Sequence, residues 1–177
     1  MSIFLFTVIL FYFLYRYSLS YVGYSSIKNL YSMILFLFLT IIRLSIGTYP
    51  IESILLYPFF YLAFYVDEEC GEIPDLCSIG IICISIFFKR THLFSLIIVF
   101  SIGSILSYFK LIGFGDIKLF SAMAFFIGEK IIYVIFGSSY IGLFYYFIKK
   151  KERIFPFAPS IVCSFILLDY LLLLKVI

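Results

Sequence analysis

The feature that most constrains this chain is the spacing of the breaks in its apolar sequence. Charged residues, Pro, Gly and Asn interrupt it at short intervals, leaving apolar runs at about 2–17, 30–47, 51–66 and 76–88, and then at about 93–109, 117–128, 131–148 and 157–175. A helix of roughly 20 residues crosses the ~30 Å hydrocarbon core of a bilayer. These runs therefore predict a polytopic all-α transmembrane bundle of about six to eight helices, with residues 1–177 forming a single membrane domain. The sixth run is short, and a broken or tilted helix is expected there.

Composition supports the bilayer and limits the function. With 64% hydrophobic and 13% charged residues, the chain is too apolar to cover a soluble core with polar surface. A net charge of +3 does not imply nucleic acid, because Lys and Arg in such chains mainly set orientation. The cluster Lys149, Lys150, Lys151 and Arg153 is read as a topology signal of this kind. Cys70, Cys77, Cys83 and Cys163 form no CxxC pair, and with one histidine present a zinc site lacks suitably spaced ligands. No metal or cofactor is expected. The N-terminal run lacks a basic start and a small-residue cleavage site, and reads as a retained first helix. Placing the loops at Lys28, 67–74, 110–118 and 149–153 on one side collects most of the basic residues there, so that side is expected to be cytoplasmic. Lys89 and Arg90 fall on the other side and violate the rule.

Two carboxylates stand at helix ends on the same side. Asp67 follows IESILLYPFFYLAFYV and is expected at the junction of helix and loop, and Asp116 sits in GFGDIK between two apolar runs. Carboxyl groups held a few ångströms apart tend to keep one proton between them. The ionised member can then take a proton from water while the protonated one polarises a carbonyl, as an aspartic protease requires. Gly113 and Gly115 would let the backbone turn sharply beside Asp116 and let a substrate strand approach. Lys118 can pair with a carboxylate or snorkel to lipid phosphate, and the second is expected. Taken singly, Asp67 reads as a solvated charge among Glu68, Glu69 and Glu72, and Asp116 as an N-cap.

Three stretches together resemble the type IV prepilin peptidases. Asp67 is followed by Ile73, Pro74 and Asp75. The GxGDxK pattern appears as Gly113, Phe114, Gly115, Asp116, Ile117 and Lys118, and a PFAP stretch runs from Pro156 to Pro159 where the family often has PFGP. The resemblance covers about residues 50–175. It implies an inner-membrane GxGD aspartic endopeptidase with Asp67 and Asp116 as the catalytic pair. It also implies that the leader of a pilin or pseudopilin precursor of a type IV pilus or type II secretion system is cut at the cytoplasmic face. The paired CxxC motifs of members with methyltransferase activity have no counterpart here, so the chain looks like the short, peptidase-only form. Presenilin-like proteases also use GxGD, but carry a Tyr before the first Asp and a PAL stretch; here Val66 precedes Asp67 and PAL is absent.

Several other residues carry expectations. Asp169, within an apolar run, is expected to pair with Arg43 near the outer face. His92 reads as a loop residue, and Gly128, Glu129 and Lys130 as a tight turn. Glu68, Glu69 and Glu72 are expected to attract a basic leader. The rival reading is a non-enzymatic membrane protein, a small transporter or an assembly scaffold, in which the carboxylates carry protons or cap helices.

Overall fold

Local chemistry explains where the helices begin and end. The computed structural model describes residues 2–23, 27–46, 51–148 and 156–173. Helix α1 spans Ser2–Val22 and α2 spans Ile27–Ile46; a 3-10 turn, Ile51–Leu56, leads into α3, Tyr57–Cys70. Then follow α4 (Asp75–Phe87), α5 (Leu93–Tyr108), α6 (Phe114–Ile127), a 3-10 turn (Gly128–Lys130), α7 (Ile131–Ile148) and α8 (Ala158–Leu173). No strand occurs among the described residues. Pro58 sits in the first turn of α3, where its missing N–H costs nothing. Gly71, left-handed at φ 70°, ends that helix by donating its N–H to the Asp67 carbonyl.

All eight expected helices are present, with instructive differences at their ends. Helix α1 runs five residues beyond the expected boundary at 17, to Val22. Helix α6 is continuous, not broken; the interruption comes after it, at Gly128 with φ 66°, where the chain turns back into α7. The apolar stretch Phe114–Phe147 is therefore divided between two helices, whereas Phe4–Val22 and Ile27–Ile46 are each a single helix long and apolar enough to cross a membrane. The basic cluster at Lys149–Lys151 and Arg153 lies outside the described residues.

Helices α3, α6 and α8 supply much of the buried core. Leu62 and Phe60 of α3, Leu119 and Met123 of α6, and Ile161 and Phe165 of α8 are all excluded from the surface. Helix α3 packs on α1 and α8, α6 packs on α4 and α5, and α4 touches both α3 and α6. At one such contact Gly80 of α4 meets the Phe59 ring so closely that an added Cβ would fall 2.1 Å from it. The outward faces carry Leu5, Phe13, Tyr31, Phe94 and Phe144, an apolar surface that water would not tolerate and lipid covers.

Buried polar contacts fasten both ends. At one end Asn29 of α2 donates to Ser18 of α1 over 2.9 Å and accepts from Tyr61 of α3. At the other, the Arg43 Nε lies 2.8 Å from Asp169 Oδ2, which also accepts from Ser53 and Tyr57 at 3.2 Å. The expected Arg43–Asp169 pair is thus present, and almost wholly buried.

Candidate active site

Asp67 lies one turn inside α3 rather than at its junction with the loop, because Glu68, Glu69 and Cys70 remain helical until Gly71 ends the helix. Its side chain is 6% exposed. The N-terminus of α8 holds it: the Ala158 N–H donates to Asp67 Oδ2 over 2.9 Å, and the Phe157 N–H donates to the same carboxylate. A helix start presents unpaired N–H groups and a partial positive charge, which suits a carboxylate. The PFAP stretch therefore acts through its backbone.

Asp116 is the third residue of α6 and not its N-cap, which is Gly113. Its carboxylate reaches back to the Gly113 N–H, as an acidic side chain does in a capping box. Gly113 and Gly115 serve close approach more than a sharp turn, since Gly113 has an ordinary extended backbone at φ −66°, ψ 140°. A Cβ on Gly113 would lie 3.0 Å from Asp116 Oδ2, and one on Gly115 would lie 3.3 Å from the Ile73 Cβ. Gly115 thus lets the start of α6 close onto the loop between α3 and α4, and Gly113 leaves room for the Asp116 carboxylate.

Asp67 and Asp116, 49 positions apart in sequence, line one cleft of about 290 Å³ together with Gly71, Glu72, Ile73, Gly113, Gly115 and Lys118. Lys118 does not snorkel away: its Nζ lies 2.6 Å from Asp75 Oδ1 and 5.0 Å from the centroid of the Phe114 ring. A carboxylate within reach of an ammonium already near the α4 start is a nearer partner than lipid. The pair ties the first residue of α4 to α6.

Of the other expected residues, Glu72 lines the cleft whereas Glu68, Glu69 and Pro74 do not. Glu69 lies 3.3 Å from Lys28, and Glu72 accepts from the Tyr21 hydroxyl at 3.4 Å. Pro74 is buried and caps the start of α4. Sequence reasoning marked Ile73 only as a motif residue and missed its role as the surface against which Gly115 closes, and it missed the two N–H groups of PFAP. The signal for the second was a proline-bounded stretch just before an apolar run, which marks a helix start.

Comparison with curated proteins and with solved structures yields no match. The model of the type IV leader peptidase family does match, over residues 54–147. That stretch takes in α3 to α7 up to Phe147, hence both cleft aspartates, the loop carrying Ile73 to Asp75, and the GxGD start of α6. The matched region exceeds half of the 177 residues and holds the cleft's entire lining; the protein belongs to the type IV leader peptidase family.

Proposed function

We propose that this chain is an aspartic endopeptidase that cuts the leader from pilin-like precursors at the cytoplasmic face of the membrane, with Asp67 and Asp116 as the catalytic pair. The observation that carries the reading is the single cleft lined by these two carboxylates, one held by helix-terminal N–H groups and the other folded back over Gly113 at the start of α6. One carboxylate takes a proton from water as the oxygen attacks the scissile carbonyl. The other, protonated, donates a hydrogen bond to that carbonyl; collapse of the tetrahedral species breaks the C–N bond, and the amine leaves with a proton from the pair. The substrate backbone lies in the cleft of about 290 Å³ that Gly113 and Gly115 help to line.

Changing Asp67→Asn and Asp116→Asn separately tests the dyad. Each should lower leader removal from a co-expressed prepilin by on the order of 10³-fold or more while the protein still inserts. Cleavage surviving in either variant would refute the pairing, whereas no cleavage by the unaltered chain would leave a scaffold that retains the fold.

The acidic groups near the cleft point to a basic leader. Glu68 and Glu72 are exposed, and the Glu69–Lys28 pair is a surface contact of small strength. Replacing Glu68, Glu69 and Glu72 by Gln should weaken cleavage more at low than at high salt. An equal loss at both ionic strengths would remove this role.

A further inference from the structure

Arg90, singled out by its position against the orientation rule, lines a second cavity at the far end of the bundle. The cavity measures about 520 Å³ and is lined by Arg90, His92 and Lys130, with Ser53 and Asp169 at its polar wall. Phe126, Ile127, Phe165, Leu168 and Leu172 form an apolar wall. Asp116 opens α6 and Ile127 closes it, so the cavity lies roughly 17 Å along that helix from the acidic cleft.

The basic groups are held in place by backbone features. The His92 N–H donates to the Phe125 carbonyl over 3.0 Å, tying the loop between α4 and α5 to the end of α6. Gly128, at φ 66°, leaves room for the imidazole: a Cβ there would come within 2.9 Å of His92 Nδ1. The Arg90 N–H donates to the Ser85 carbonyl over 2.8 Å, and its guanidinium stands over the Phe126 ring at 5.9 Å.

The local acids offset this group only in part. Asp169 is the acid in the lining, and its Oδ2 is already engaged by Arg43, Ser53 and Tyr57. Glu52 approaches Arg90 only to 3.7 Å, longer than the ~2.7–2.9 Å of a strong charge-assisted contact. Glu129 belongs to the same turn as Lys130 but lines the apolar groove between α5 and α7 instead.

We propose that this cavity binds a phosphate ester carrying an apolar tail, with Arg90, Lys130 and His92 on the phosphate and the wall of α6 and α8 on the tail. A guanidinium and an ammonium beside an imidazole donor suit a phosphate oxygen cluster. The adjoining Ile127, Leu168 and Leu172 suit hydrocarbon. An anionic phospholipid supplies both halves, and a free phosphate ester supplies only the first. The site gives Arg90, one of the two residues that violate the orientation rule, a use, and it does not depend on the peptidase reading.

Native mass spectrometry of the full chain, released from vesicles of equal phosphatidylglycerol and phosphatidylcholine, reads the site directly. Phosphatidylglycerol should be retained in preference, and the Arg90→Gln/Lys130→Gln variant should lose that preference by about tenfold. The Arg90→Lys/Lys130→Arg variant should keep it. If the Gln variant does not fold, competition on the native chain decides: glycerol phosphate displacing the lipid at equal concentration assigns the site to a free phosphate ester, and no displacement assigns it to lipid. Equal retention of both lipids by the native chain, together with no protection by glycerol phosphate, would overturn the proposal, as would an undiminished preference in a folded Gln variant.

Discussion

Asp169 and Asp67 show how the same side chain acquires different uses from its surroundings. Asp169 Oδ2 receives Arg43, Ser53 and Tyr57, so its charge is matched within the protein and Arg43, 1% exposed, is matched in turn. Removing one partner leaves the other charged and buried, at a cost of about 3–5 kcal/mol. Asp169→Ala should therefore sharply lower the midpoint of thermal unfolding in detergent, whereas Arg43→Asp/Asp169→Arg should recover part of the loss; an unshifted midpoint for Asp169→Ala would show that the pair is not structural. Asp67 receives only backbone N–H groups on its deep side and faces the cleft on the other. It is positioned by backbone N–H groups, as the proposed exchange of a proton with water requires.

Among the elements, the start of α8 holds the candidate site most directly. Its first N–H reaches Asp67, and Phe157 just before it packs at 6.4 Å between centroids against Phe120 of α6. One segment thereby touches both aspartate-bearing helices. Proline at a first helical position keeps the helix but deletes the donor. Ala158→Pro should therefore slow leader cleavage by about tenfold, the worth of a hydrogen bond to a charged group, while Ala158→Gly keeps the N–H and most of the rate. Equal rates for the two variants, measured on the same membrane preparations, would show that this donor is immaterial.

At the scale of the whole molecule the helices differ in length. Helices α1 and α2 have 21 and 20 residues, enough for about 30 Å, whereas α4 and α6 have 13 and 14, or only about 20 Å. A bilayer with a ~30 Å core must thin around the short pair, or the ends of those helices must sit below its surface. The acidic cleft lies at such an end. Leader cleavage should accordingly run faster in phosphatidylcholine vesicles with short myristoleoyl chains than in those with long erucoyl chains. The same rate in both would show that the cleft reaches water regardless of thickness.

The sequence by itself determined the bundle and its segmentation, because the lengths of apolar runs and the residues that interrupt them obey bilayer thickness and backbone chemistry, which are local constraints. It also marked Asp67 and Asp116 through GxGD and the Ile73-Pro74-Asp75 spacing, and it anticipated Arg43 with Asp169, since a buried charge within a helix demands a partner. Only the tertiary structure decided that Asp67 rests on the N–H groups of Phe157 and Ala158, that Lys118 turns to Asp75, and that Arg90, His92 and Lys130 share a cavity. Those pairings join residues far apart in the chain. Each depends on how helices pack and where their ends meet, which no run length or local motif encodes.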